Sequence, residues 1–203
     1  DRTVGADRVS TADFVGMPQA GLPGQTNLGG GLSTQGPYTL GPDDVVHIEV
    51  HGQTEFSGTY TIGHDGGIQY GIAGDVSANG LTREQLAEAI AERLTQYVRF
   101  PDVNVTITQF NSKAIYILGR VGSPGKYAMR GDTIKIRDAL VAAGLEADYA
   151  ALKRVKVIKT SKKGRRPETI KLNLKNVMYK GEMEDDIDLI NGDVVVVPTT
   201  ILG

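Results

Sequence analysis

The sequence predicts an α+β protein: a small β-rich unit carrying one helix, followed by a second unit with the element order of a β-grasp. Three observations carry that prediction. Short runs such as Val46-His-Ile-Glu-Val50 and Val103-Asn-Val-Thr-Ile107 alternate apolar with polar residues, the pattern of half-buried strands. At two places, after Thr82 and after Thr133, the apolar spacing changes to the helical period. The last apolar run, Val194–Val197, comes late enough to complete a sheet begun near Ile115. A chain of 203 residues suffices for one large domain or two small ones with their own cores.

Residues 1–36 hold Gly21, Gly24, Gly29, Gly30, Gly31, Gly36, Pro18 and Pro23 with few large apolar side chains. Such a segment does not bury enough surface to offset its ordering entropy, so it is expected to be a flexible arm. Residues 37–112 form the first unit. Tyr38–Asp44 reads as a short strand ending in a Gly-Pro turn, and Val46–Val50 as a half-buried strand. Thr59–Ile62 continues the alternation, His64–Gly67 is a hairpin turn, and Ile68–Tyr70 is its return strand. Gly71–Gly80 reads as a loop anchored by Ile72 and Val76. Thr82, with Gln85 three residues on, is a capping-box signature. Leu86, Ile90, Leu94 and Tyr97 then form one buried stripe, Pro101 blocks continuation, and Val103–Ile107 is a strand.

Residues 113–200 form the second unit, and 201–203 a tail too short for any element. Ile115–Leu118 is a strand, the connection through Gly119, Gly122 and Gly125 a turn, and Lys126–Met129 a return. Thr133 is placed to cap a helix through Ala143 that buries Ile136 and Leu140, with Gly144 at its left-handed end. Arg154–Thr160 is a basic strand, Ser161–Pro167 a basic hairpin loop and Thr169–Leu174 the return. Val194–Val197 is the last strand, closed by Pro198.

Composition removes several function classes. With no Cys the chain has no disulfide framework, zinc-finger ligand set or thiol nucleophile of its own. No apolar run approaches the roughly 20 residues of a membrane helix. The chain opens on Asp1 without Met, which leads us to expect a segment upstream. The net charge of −2 hides an asymmetry. Residues 1–149 carry 11 basic and 17 acidic side chains, 150–180 carry 11 basic and one acidic, and 181–203 carry six acidic and no basic. A block with a net charge of +10 in the middle segment either attracts phosphate, sulfate, uronate or an acidic partner, or pairs with the acidic segment that follows it.

Catalytic patterns are wanting. His47, Glu49 and His51 share one strand face, but alternate residues on a strand lie about 7 Å apart, wide for one metal ion, and no second ligand cluster is visible. The adjacent acids Asp43–Asp44 and Asp185–Asp186 read as turn residues rather than an acid–base pair. No serine sits in a Gly-x-Ser-x-Gly elbow, the Gly119/Gly122/Gly125 spacing is not a phosphate-binding fingerprint, and Asp186–Asp193 lacks the glycine of a calcium loop. The chain therefore reads as non-enzymatic, with no cofactor and no metal. The candidate contact residues are Lys162, Lys163, Arg165 and Arg166 of the basic hairpin. Only Tyr149 and Tyr179 lie near them, and the pI is about 5.9, so nucleic acid is not the expected partner.

Several segments together carry a resemblance. Tyr38-Thr-Leu-Gly-Pro-Asp-Asp-Val45, Ser57–Ile62, Asp65-Gly-Gly-Ile68, Gly80-Leu-Thr82 and Pro101-Asp-Val-Asn-Val105 resemble a polysaccharide export domain. Ile117-Leu-Gly-Arg-Val-Gly-Ser-Pro-Gly-Lys-Tyr127, Ile136-Arg-Asp-Ala-Leu140 and Asn191-Gly-Asp-Val-Val-Val-Val-Pro198 resemble a soluble-ligand-binding β-grasp (SLBB) domain. In this order the two are similar to the outer-membrane polysaccharide export auxiliary family, over residues 37–198. The resemblance implies a homo-oligomeric periplasmic ring associated with the outer membrane, through which a capsule or exopolysaccharide leaves the cell. It implies an inner-membrane polysaccharide co-polymerase as partner and a lipid anchor upstream of Asp1. Family members of the longer type end in a pore-forming amphipathic helix. This chain stops at Gly203, and the expectation is a short member working with a separate outer-membrane β-barrel, or a truncated longer one. A further departure is Gly144-Leu145 where the family has Gly-Gly. The competing reading is a β-grasp module that binds a soluble ligand as a sensor or regulator.

Overall fold

The structure is a computed structural model and describes residues 34–145, 150–160 and 167–199. The chain enters as β1 (Thr34–Gln35) and builds its first unit from β2 (Val45–Val50), β3 (Gly58–Thr61), β4 (Gly67–Gln69), β5 (Asp75–Ser77), α1 (Arg83–Leu94) and β6 (Val103–Gln109). β2 is the centre of an antiparallel sheet of order β3-β2-β6. Its alternation places Val46, Ile48 and Val50 in the core and His47 and Glu49 in solvent. The capping box is present, with Thr82 accepting from the Gln85 N–H and the Gln85 side chain accepting from the Thr82 N–H. Leu86, Ile90 and Leu94 are completely buried, each contributing about 1.5–3 kcal/mol of apolar burial.

Four expectations for this unit are corrected. Tyr38–Asp44 is not a strand. Pro42 and Asp43 (φ 70°) turn the chain sharply, and the segment is held instead by Leu40 pairing with Leu81 and Gly80. The return strand β4 does not pair with β3. It pairs with β5, because the turn at Gly63–Gly67 sends the chain over to residues 75–77, where Gly66 also receives the Ala78 and Asn79 N–H groups. Ile72 is no anchor: it is 64% exposed, while Val76 in β5 is buried. Tyr97 lies beyond the helix and is half exposed, its hydroxyl donating to the Ile72 carbonyl at 3.2 Å.

The second unit contains β7 (Ala114–Gly119), β8 (Gly125–Ala128), β9 (Thr133–Lys135), α2 (Ile136–Ala142), β10 (Val155–Lys159), β11 (Glu168–Leu172), α3 (Leu174–Lys180), β12 (Asp188–Leu189) and β13 (Val194–Val197). The five-stranded sheet runs β11-β10-β13-β7-β8, with β13 parallel to β7 and the other pairs antiparallel. The late strand therefore enters the middle of the sheet between the two hairpins. One sheet face, with Ile115, Ile117, Tyr127, Val155, Val157, Val195 and Val197, shares a core with Ile136, Ala139 and Leu140 of α2 and Leu174 and Val177 of α3. The opposite face exposes Tyr116, Leu118 and Ile158 beside Lys126, Lys156 and Lys171.

Thr133 does not cap α2 but belongs to β9. The helix starts at Ile136, and its first N–H groups go to distant partners: Ile136 to the Ile187 carbonyl (3.0 Å) and Arg137 to the Asp186 carboxylate (3.2 Å). A tertiary contact has replaced the local cap. The return strand ends at Leu172, two residues short of expectation, and the chain continues as α3, which Gly181 terminates in the left-handed region (φ 71°). The expected arm ends in an ordered strand, since Thr34 and Gln35 pair with Ile134 and Thr133, and β9 pairs in turn with β12. Residues 1–33 lie outside the described residues.

Candidate functional site

The two units meet around three short polar sequences. The carboxylate of Asp44 is completely buried. It accepts from the Tyr38 hydroxyl (2.8 Å), the N–H groups of Gly41 (2.9 Å), Asn111 (2.7 Å) and Ser112 (2.8 Å), and the Ser112 hydroxyl (2.8 Å). Burial pushes the Tyr38 phenol well above its ordinary value; Asp44 adds to the rise and Ser112 opposes it. Beside it, Asp132 accepts from the Thr39 N–H and hydroxyl and from the Lys113 ammonium. Burial works against ionisation of Asp132, but these bonds prevail and hold its carboxyl below the usual value. The ammonium of Lys113 also lies 4.9 Å from the Tyr38 ring centroid. These groups tie Tyr38–Asp44 to Asn111 and Ser112 at the end of the first unit and to Lys113 and Asp132 of the second.

Asn191-Gly192-Asp193 does comparable work inside the second unit. Asn191 accepts from the Ala114 N–H at 2.9 Å. Gly192 has φ 86°, and a side chain there would meet the Thr160 hydroxyl at 2.5 Å. Asp193, fully buried, accepts from the Lys159 ammonium (2.6 Å) and from the Thr160 and Ile190 N–H groups (2.9 Å each). Lys159 and Thr160 lead directly into the basic hairpin, so Asp193 fixes its root. Lys162, Lys163, Arg165 and Arg166 lie outside the described residues, and no structural position is assigned to them.

What the structure does place is the rest of the basic block. If it served only to neutralise the acidic segment after it, the two would be paired. Among the described residues of the block, only Lys159 and Lys180 reach that segment, at Asp193 and Glu182. Asp186 and Asp188 are taken instead by Arg137 (3.4 Å) and Lys135 (3.0 Å), from an earlier part of the chain. Lys153, Arg154, Lys156, Lys171 and Lys175 form no ion pair among the described residues. Three of these cations rim a groove of about 560 Å³ lined by Ala150–Arg154 on one side and Lys175 and Tyr179 on the other. Sequence reasoning missed this groove because it missed α3, which puts Lys175 and Tyr179 one turn apart on the same helix face.

The remaining acids and histidines have local roles or face solvent. His47, Glu49 and His51 are exposed, with His47 Nδ1 3.1 Å from the Thr59 hydroxyl. Asp185 accepts from the Asn173 N–H at 2.9 Å. Among the described residues, no three of His, Cys, Asp and Glu converge as a metal site would require, and no helix is long and apolar enough to cross a membrane.

With this arrangement in view, comparison with known proteins is direct. Residues 32–108 match the profile of the polysaccharide biosynthesis/export protein family, and residues 113–197 that of the SLBB domain. The chain carries a polysaccharide biosynthesis/export domain followed by an SLBB domain. Its boundary between the two profiles, residues 109–112, is the stretch whose Asn111 and Ser112 bind Asp44. The EPS I polysaccharide export outer membrane protein EpsA of Ralstonia solanacearum is 24% identical over 210 residues, covering 91% of this chain and 54% of that protein. The exopolysaccharide production protein ExoF of Rhizobium meliloti is 25% identical over 130 residues, covering 58% of this chain and 30% of that protein. The chain thus spans about half the length, or less, of these curated relatives. Each matched stretch contains one fully buried, multiply hydrogen-bonded carboxylate, Asp44 in the first and Asp193 in the second.

Proposed function

We propose that this chain is a non-enzymatic component of a polysaccharide export machine at the periplasmic side of the outer membrane, acting as a subunit of a homo-oligomeric ring. The observation that carries the reading is the order of its domains, an export domain followed by an SLBB domain, joined through the buried Asp44 junction. A hydrogen-bonded junction lets the pair pack against neighbours as one body, which a closed ring requires. The open edges β8 and β11 and the exposed sheet face with Tyr116, Leu118 and Ile158 suit lateral contact. Segments of opposite charge on one chain favour head-to-tail packing, and such heterologous contacts close into rings when the rotation permits. In this reading the basic hairpin meets an acidic neighbour or the exported polymer. An inner-membrane co-polymerase and an outer-membrane β-barrel would complete the path.

The test is the double charge reversal Lys162→Glu with Arg165→Glu. Light scattering of the purified ring and secretion of polymer by a complemented deletion strain are both scored. Smaller oligomers or lost secretion support the reading, and parental behaviour in both assays removes it.

A further inference from the structure

The groove between residues 150–154 and α3 is rimmed by one chemical kind of group. Lys153 and Arg154 stand on one side, and Lys175 with Tyr179 on the other, over a floor of Ala150, Ala151 and Leu152. The three cations are exposed and make no ion pair among the described residues, and the Tyr179 ring is 63% exposed. Among the described residues, no Asp, Glu, Asn or Gln lines the groove. That lack is informative. A neutral sugar presents hydroxyls that both donate and accept, so its sites need side-chain acceptors as well as donors. Here lysine and arginine donate only, and among the described residues the tyrosine hydroxyl is the lone side-chain acceptor. An aromatic face with cations around it instead fits a ring that carries negative charge. The volume lies within the usual range of small-ligand sites, roughly 300–1,000 Å³.

From this we infer that the groove is a binding site for an acidic saccharide segment, its carboxylates held by Lys153, Arg154 and Lys175 and one sugar face laid on Tyr179. The inference rests on the export reading for its choice of a saccharide, but it assigns a site and a charge class that the reading leaves open. Lys175 and Tyr179, one helical turn apart, would contact adjacent parts of the ligand.

The experiment uses the 203-residue chain with oligogalacturonate and its fully methyl-esterified form, the same backbone without charge, followed by calorimetry and by amide shifts of residues 150–154 and 174–180. Oligogalacturonate is expected to bind at these amides, about tenfold or more tighter than the ester, the loss expected when a charge-assisted hydrogen bond is removed. Lys175→Glu should weaken binding about tenfold or more, and Tyr179→Ala should weaken it severalfold for both oligomers. Inorganic phosphate and sulfate serve as competitors: displacement only at concentrations far above that of the oligomer supports a saccharide site. Equal binding of ester and acid, shifts elsewhere on the surface, or displacement by millimolar phosphate overturns it. So does a Lys175→Glu variant whose oligomeric mass changes while its oligogalacturonate affinity does not, since the groove would then hold an acidic segment of a second copy. The ring reading is scored separately by mass and secretion, so failure of the groove leaves that score untouched.

Discussion

Ser112 gives Asp44 two hydrogen bonds, one from its backbone N–H and one from its hydroxyl, each 2.8 Å long, across 68 residues of sequence. Asp44 immediately precedes the central strand of the export domain, and Ser112 stands just before the first strand of the SLBB domain. One buried carboxylate therefore organises the turn before β2 and the passage between domains together.

Removing that carboxylate is expected to be costly. Asp44→Ala takes the acceptor from the buried Gly41 N–H and the half-buried Ser112 N–H, while the N–H of the exposed Asn111 can turn to water and the Tyr38 and Ser112 hydroxyls can still pair with each other at 2.8 Å. At about 1–3 kcal/mol for each stranded donor, the loss should be at least about 2 kcal/mol. Ser112→Ala removes one donor from a carboxylate that keeps four others and should cost about 1 kcal/mol. Urea unfolding followed by circular dichroism measures both, and an Asp44→Ala chain as stable as its parent would contradict the junction described here.

Much of the fold was legible because period and position agreed. Val46–Val50 and Leu86–Leu94 each show a clear period, Val194–Val197 is an unbroken apolar run, and each forms the expected element. The failures share a cause, which is partners distant in sequence. The start of α2 looks uncapped locally because Asp186 and Ile187 cap it from nearly 50 residues away. β4 chose β5 over the adjacent β3, a preference that alternation does not encode. The site was harder to read. Asp43 and Asp44 look alike in sequence, yet Asp43 takes up the strained turn conformation while Asp44 is wholly buried. Nothing in residue type separates them.

The central parallel pair of the SLBB sheet depends on a glycine. Gly119 pairs with Val197 and has φ 96°, and a Cβ there would sit 2.1 Å from the Val197 carbonyl oxygen. Gly119→Ala should combine backbone strain of roughly 1–2 kcal/mol with forced separation of β7 from β13, and cost at least about 3 kcal/mol. Gly52→Ala is the control, with φ 72° and open space around it, and should cost only the strain of roughly 1–2 kcal/mol. Equal losses for the two in thermal unfolding would show that the close approach at Gly119 is not limiting.

Acid should loosen the domain junction before it unfolds the core. Asp132 has its carboxyl held below the ordinary 3.8, so its contribution is present above that value and disappears as pH falls through the lower folded-state value. Its side chain is 38% exposed, so the effect should be no more than about 1 kcal/mol after solvent screening. Stability measured from pH 6 downward should fall more steeply below about pH 4 in the parent than in Asp132→Asn. In alkali the sign reverses. Burial, reinforced by Tyr60, pushes the Tyr70 phenol up to about 12, so stability should decline as pH rises from about 10 towards 12. Tyr70→Phe should remove that component, and an unchanged alkaline slope would show that Tyr70 does not carry it.

The basic hairpin should depend on Asp193, although Asp193 is not part of it. Its carboxylate holds Lys159 and the Thr160 N–H at the hairpin's root and, through Ile190, the turn that feeds β13. Asp193→Ala leaves the part-exposed Lys159 ammonium with only the Asp188 carbonyl and takes the acceptor from the Thr160 and Ile190 N–H groups, and should cost about 1–3 kcal/mol. Asp193→Asn restores one acceptor but not the charge facing Lys159, and should cost less. Both should speed tryptic cleavage within residues 161–166 relative to Arg83, whose surroundings are unaltered. If cleavage there is unchanged while global stability falls, Asp193 supports the sheet alone, and the hairpin's position is set by something other than its root.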